Sequence, residues 1–175
     1  MDLMRLFIAI QLNDEVREIV RETQDAFRRQ GVRGNYTPAE NLHLTLAFIG
    51  EYGDPDSVLD AMETVRFSPF SLTMEKTGCF GDLWWTGFSD SKPLDNLVRN
   101  LRHALADAGI PFDKKKFKAH CTILRRAAYA KSGSLPRIDS APAGMQADRI
   151  SLMQSTRGRH GMIYTELGSV RAQTD

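Results

Sequence analysis

Only two cysteines, Cys79 and Cys121, occur in 175 residues, too few for a disulfide scaffold and at no spacing that suits a metal site. Long apolar runs are also missing. The longest near the start, Leu6-Phe7-Ile8-Ala9-Ile10, is too short for a secretory leader or a membrane span, so a cytoplasmic protein without membrane attachment is expected. Neither sign of charge is in excess: 23 basic residues face 22 acidic ones, a net charge of +1. A protein that tracks along many phosphates carries a basic excess, which argues against extended duplex binding. Linkers are lacking too. The nearest approach to one runs from Ala127 to Gly144, where Ser132, Gly133, Ser134, Pro136, Pro142 and Gly144 cluster without periodicity, and it reads as a long surface loop. With 42% hydrophobic residues, the chain fits a single two-lobed domain over residues 1–175.

What the chain does have is a repetition. His-x-Thr occurs as His43-Leu44-Thr45-Leu46 and again as His120-Cys121-Thr122-Ile123, whereas four His and eleven Thr would give roughly 0.25 such tripeptides by chance. The histidines stand 77 residues apart, and Leu6-Phe7-Ile8 recurs as Leu83-Trp84-Trp85 at the same offset. Between them, Val16, Ile19, Val20 and Phe27 have a helical spacing that begins near Asn13 and stops at Gly31. Leu94, Leu97, Val98 and Leu105 repeat it at an offset of 78, from Ser91-Lys92-Pro93 to Gly109. The expected unit is therefore strand, helix, His-x-Thr strand, at about residues 5–50 and 82–125. A period this long is no solenoid and points to two lobes related by a pseudo-twofold axis across a cleft.

The rest reads as a short helix over Asp56 to Val65 and two hairpins. In the first, Phe70, Leu72 and Met74 alternate, Gly78 to Gly81 turn the chain, and Leu83 to Phe88 return; in the second, Ile150 and Leu152 precede a turn at 157–161 and a return over Met162 to Val170. Helices interleaved with hairpins favour an antiparallel α+β fold, with sheets lining the cleft and helices outside.

Side chains alternate along a strand, so His43 and Thr45 share one face while Leu44, Leu46 and Phe48 take the other, assigned to the core; His120 and Thr122 likewise oppose Cys121 and Ile123. If the lobes face each other, two imidazoles and two hydroxyls meet around one point. That set suits a phosphodiester. In-line displacement at phosphorus needs a base on the attacking oxygen and an acid on the leaving oxygen, and imidazole, with an unperturbed pKa near 6.5, serves in either state. Threonine hydroxyls can donate to the non-bridging oxygens. A lone histidine on a strand is more often structural, and a zinc site is disfavoured because Cys121 points away from His120. His103 lies off the apolar stripe and reads as surface; His160 lies in a Gly-flanked turn.

These residues resemble the two-histidine phosphoesterase superfamily and, within it, the bacterial and archaeal RNA 2′,3′-cyclic phosphodiesterases, also called 2′-5′ RNA ligases. The resemblance spans Arg5 to Ile10, Asn41 to Gly50, Phe117 to Arg125 and Ser155 to Tyr164. It departs at Ala119 and Cys121, where members often have Pro and an aliphatic residue, off the catalytic face. The resemblance implies hydrolysis of 2′,3′-cyclic phosphate ends of RNA to 2′-phosphates, with possible reversible 2′-5′ joining and no metal or other cofactor. His120 would activate water, His43 would protonate the departing 3′ oxygen, and Thr45 and Thr122 would hold the phosphate. Arg125 follows the second motif as a phosphate contact, although strict alternation places it on the wrong face unless a strand end or bulge re-aims it. Phe7, Ser155, Arg157 and Tyr164 are substrate-binding candidates, with strand packing as the other reading of Tyr164. Phe7, Trp84 and Trp85 offer stacking surfaces, at most one of the two tryptophans lining the cleft. Lys114 to Lys118 read as an RNA-backbone contact or a solvated face. The partners implied are RNA ends or small nucleotides, with no obligate protein partner and a monomer as the default. Two alternatives stand beside this: a phosphodiesterase for 2′-5′ oligoadenylates or small cyclic nucleotides, and a non-catalytic module that binds nucleotides or RNA ends.

Overall fold

The computed structural model describes residues 3–129, 135–136 and 142–173. The elements in chain order are β1 (Met4–Gln11), α1 (Asp14–Arg29), β2 (Arg33–Tyr36), a 3-10 turn (Ala39–Asn41), β3 (His43–Tyr52), α2 (Pro55–Glu63), β4 (Phe70–Phe80), β5 (Leu83–Phe88), α3 (Lys92–Asp107), β6 (His120–Ala128), β7 (Ala143–Ala147), β8 (Arg149–Gly158) and β9 (Gly161–Arg171). They form two antiparallel sheets, ordered β3-β1-β8-β9 and β2-β6-β5-β4-β7. The α+β architecture is the expected one, and each His-x-Thr strand lies beside the strand that opens its unit, β3 against β1 and β6 against β5.

Both long helices start where a side chain can take over an orphan amide: Asn13 Oδ1 accepts from Val16 N at 2.9 Å and Ser91 Oγ from Leu94 N at 3.2 Å, caps worth about 1 kcal/mol each. Both end at a glycine in the left-handed region, Gly31 at φ 78 and Gly109 at φ 71, where a side chain would clash with the following carbonyl. Their apolar faces are exchanged between lobes. Val16, Val20 and Phe27 of α1, which follows β1, pack with Trp84, Cys121 and Ile123 of the second sheet. Leu94, Leu97, Leu101 and Leu105 of α3, which follows β5, pack with Leu6, Ile8, Leu44 and Leu46 of the first. Each buried aliphatic side chain contributes about 1.5–3 kcal/mol, so each lobe's core depends on a helix from the other.

Several boundaries differ from expectation. The short helix is Pro55–Glu63 rather than Asp56 to Val65. β4 continues through Gly78 to Phe80, leaving only residues 81 and 82 as the turn, and the last hairpin turns on 159 and 160 alone. Ala127–Ala128 and Ala143–Gly144, assigned to the loop, belong to β6 and β7; most of the expected loop lies outside the described residues. β2 and β7 were not foreseen, because short half-exposed strands carry little alternation. The strand offset is also corrected: Ile8 pairs with Ala47 and Trp84 with Leu124, so β1 maps onto β5 at 76, one residue short of the sequence-based match. Among the described residues no helix is long and apolar enough to cross a membrane.

Candidate active site

The nine residues singled out from the sequence, His43, His120, Thr45, Thr122, Arg125, Phe7, Ser155, Arg157 and Tyr164, all line one cleft of about 570 Å³ between the sheets. Each histidine is the first residue of its strand, and its Nδ1 is tied back to the carbonyl two residues earlier. His43 Nδ1–H donates to the Asn41 carbonyl at 2.6 Å and His120 Nδ1–H to the Lys118 carbonyl at 2.7 Å. A carbonyl only accepts, so the proton of each neutral ring is fixed on Nδ1 and Nε2 is the nitrogen left for chemistry.

The surroundings of the two rings differ. His43 lies between Phe7, with centroids 4.9 Å apart, and the edge of Tyr164, 5.2 Å away, and its Nε2 is 2.9 Å from Thr45 Oγ1. Burial among these groups pulls its pKa below 6.5, and the charges of Arg125 and His120 push the same way against the Asn41 carbonyl. Both histidines border the same cleft. His120 Nε2 has no hydrogen-bond partner among the described residues. Cys121, the intervening residue, is buried in the core, which pushes its thiol up to about 12 and leaves it an inert packing group.

Strict alternation fails just after both threonines. On β3, Ala9 pairs with Thr45 and Ile8 with Ala47, leaving Leu46 as an extra residue. On β6, Trp85 pairs with Thr122 and Trp84 with Leu124, leaving Ile123 extra. A bulge shifts every following side chain to the other face. Arg125 therefore turns into the cleft, as its proposed role requires. Phe48, assigned to the core, turns the same way and is corrected: it is 42% exposed in the cleft and stacks on Phe7 with centroids 5.8 Å apart. The β6 bulge is held from behind, where the Ile123 carbonyl accepts from Thr37 N at 3.0 Å and from Gln24 Nε2 of α1 at 3.0 Å. Gly34, at φ 152 on β2, lies so close that a Cβ there would meet the Arg125 and Arg126 carbonyls at 2.8 and 2.9 Å; only glycine fits.

Tyr164 packs edge-on to Phe7 at 5.1 Å as well as to His43, which is the packing reading of that residue. Trp84 is buried against Phe27 with its Nε1–H donated to Tyr129 Oη at 2.9 Å, and neither tryptophan lines the cleft. His103 and His160 are exposed, and neither lines the cleft. Lys115, Lys116 and Lys118 do; Lys114 does not. With Arg5, Arg102, Arg125 and Arg157 they give seven cationic side chains against one carboxylate, Asp113, so a chain of net charge +1 focuses positive potential where an anion would sit. Arg5 was legible, two residues before Phe7 on one strand; Arg102 and Asn41 carried no local signal. Among the described residues, no three His, Cys, Asp or Glu side chains converge as metal ligands.

Two antiparallel sheets closing on a cleft, each contributing one His-x-Thr strand, define a two-histidine phosphoesterase. The chain belongs to the LigT like Phosphoesterase family, whose model matches it over residues 8–83 and again over 88–164. It is 32% identical over 176 residues to the RNA 2′,3′-cyclic phosphodiesterase of Thermotoga maritima, covering 94% of this chain and 93% of that protein. It is 33% identical over 132 residues to the protein of the same name from Escherichia coli, covering 72% and 74%. The crystal structure of E. coli LigT complexed with 3′-AMP superposes with a TM-score of 0.81 at 27% identity, covering 99% of this chain and 100% of that one.

Proposed function

We propose that this protein is an enzyme that hydrolyses 2′,3′-cyclic phosphate ends of RNA to 2′-phosphates. The observation that carries the reading is the pair of histidines on one cationic cleft, each with Nδ1 held by a carbonyl and Nε2 left for proton transfer. The names of the relatives and the 3′-AMP held by E. coli LigT agree with it. Water attacks phosphorus and loses its proton to one imidazole; the bond from phosphorus to O3′ breaks as the other imidazole protonates O3′, leaving a 2′-phosphate and a 3′-hydroxyl. Thr45, Thr122 and Arg125 contact the non-bridging oxygens, while Arg5, Arg157 and Ser155 border the same space. The exposed Phe48 ring, backed by the buried Phe7 ring, forms the surface on which the terminal base stacks. Every group comes from one chain, and the unit acts as a monomer.

His120 takes the proton of water and His43 supplies the proton to O3′. Burial disfavours the His43 cation in the free protein, so its proton arrives with the substrate, whose negative charge beside the ring offsets the lost hydration. The same two groups allow joining, in which a 5′-hydroxyl in place of water attacks phosphorus of the 2′,3′-cyclic phosphate and loses its proton to His120 while the bond to O3′ breaks and His43 protonates O3′, leaving a 2′-5′ linkage; water at bulk concentration favours hydrolysis.

The test is incubation with a short RNA ending in a 2′,3′-cyclic phosphate, in EDTA, with the product identified by phosphorus NMR. A 2′-phosphate, lost in His43→Ala and His120→Ala, is expected. A 3′-phosphate would overturn the assignment of the leaving oxygen, and binding without turnover would leave a nucleotide-binding module. Selective turnover of 2′-5′ oligoadenylates would move the substrate to that class.

A further inference from the structure

The face of the second sheet that carries His120 and Thr122 does not end at them. Trp85 pairs with Thr122 and Gly87 with His120 across β5 and β6, and Gly78 pairs with Trp85 across β4 and β5. Directly paired residues point to the same side of a sheet, so Trp85, and Phe80 two residues beyond Gly78, share the catalytic face. The indole lies flat along it over two glycines. A Cβ at Gly78 would stand 2.6 Å from the six-membered ring, and one at Gly87 3.1 Å from Cζ3. Phe80 packs on this indole with centroids 5.3 Å apart and yet is 53% exposed. The Lys118 ammonium stands 5.5 Å over the Phe80 ring, and Lys118 also lines the catalytic cleft and holds His120 through its carbonyl.

An exposed phenylalanine alone is unremarkable on a protein surface. Here it belongs to a two-ring platform seated on glycines, on the same sheet face as His120 and Thr122 and beside Lys118 of the cleft, the pairing of aromatic surface and cation by which single-stranded nucleic acid is held without reading its sequence. We infer that Phe80 and Trp85 form a second base-stacking subsite, for a nucleotide on the 5′ side of the terminal one, with Lys118 turning from the Phe80 ring to the intervening phosphate. The direction follows from chemistry: a strand whose 3′ end bears the cyclic phosphate has all its other nucleotides on the 5′ side. The inference rests on the function proposed above and deepens it, making the enzyme one for RNA strands rather than free cyclic nucleotides.

The experiment compares kcat/KM for cytidine 2′,3′-cyclic phosphate with that for a trinucleotide ending in the same group, in the wild type and in Phe80→Ala. The wild type is expected to prefer the trinucleotide by about tenfold, a modest return for one stacked base, and Phe80→Ala to lose that preference while turning over the mononucleotide unchanged. A wild type indifferent to length, or a variant that retains the preference or slows on both substrates alike, overturns the subsite. Turnover of neither substrate by the wild type would refute the function instead. The platform is then judged by tryptophan fluorescence with a trinucleotide bearing a 3′-hydroxyl: quenching present in the wild type and absent in Trp85→Phe supports it, and no quenching overturns it.

Discussion

The two His-x-Thr strands share a backbone and differ in what surrounds it. Both place the histidine first, both tie Nδ1 to a carbonyl two residues back, and both bulge one residue after the threonine. Around His43 the first sheet supplies Phe7, Phe48 and Tyr164; on the other side the second sheet supplies Arg125, and the segment leading into β6 supplies the lysines. The position five residues beyond each histidine shows the divergence most clearly, since equivalent bulges aim Phe48 and Arg125 into the cleft. A repeated frame thus places an aromatic ring at one of two equivalent positions and a guanidinium at the other. The geometry of the repeat sets the places, and the residue at each place sets the charge and the hydration of its histidine.

The largest effect should come from the histidines themselves. Either alanine replacement is expected to cost at least about a hundredfold in kcat, and the double variant little more than the worse single one, because an acid and a base that act in one step are not additive. A substrate with sulfur in place of the 3′ oxygen separates their roles, since a thiolate leaves without an acid: His43→Ala should then regain most of its rate while His120→Ala stays slow. Recovery in His120→Ala instead would exchange the assignments.

The divergent pair comes next. Arg125→Ala is expected to lower kcat/KM roughly tenfold or more for every substrate, the cost of a charge-assisted contact to phosphate. Phe48→Ala should lose about tenfold on nucleotide substrates alone, through stacking, and leave affinity for inorganic phosphate unaltered. Equal losses of phosphate affinity in the two variants would show that the two sides are not specialised.

A smaller effect tests the support behind one bulge. Gln24 of α1 is buried and donates to the carbonyls of Thr37 and Ile123 at 2.9 and 3.0 Å. Gln24→Leu removes both bonds and is expected to destabilise by about 1–3 kcal/mol, read from urea unfolding. Because Ile123 is the bulged residue, kcat/KM should fall as well, with the KM for phosphate-bearing ligands rising as Arg125 loses its aim. A variant as stable and active as wild type would refute this support.

The smallest concerns pH. Burial holds the folded His43 pKa below its usual 6.5, so between the two values the unfolded chain binds more protons and stability rises with pH across that window. His43 therefore costs stability as pH falls below about 6.5 through its folded pKa, a loss that His43→Gln should reduce. An imidazole NMR titration should place His43 below 6.5 in the free protein and higher with inorganic phosphate bound. No movement on binding phosphate would contradict substrate-coupled protonation.

Local pattern carried much of this molecule because its signals were local. The helix caps at Asn13 and Ser91, the stop glycines, the apolar stripes and the His-x-Thr repeat are fixed by nearest neighbours and periodicity, and they sufficed to foresee an antiparallel α+β fold and the four His and Thr residues that converge on one cleft, whereas Arg125, Phe7, Ser155, Arg157 and Tyr164 entered with the family resemblance. What alternation could not supply was the single extra residue at Leu46 and Ile123. A bulge depends on the partner strand and on who satisfies its freed carbonyl, here Gln24 and Thr37, far away in the chain. That is why Phe48 was misplaced while Arg125 needed a special plea. The exchange of α1 and α3 between the sheets and the depressed pKa of His43 were likewise decided only by tertiary packing, since which apolar faces meet, and which charges lose their water, are properties of the assembled chain.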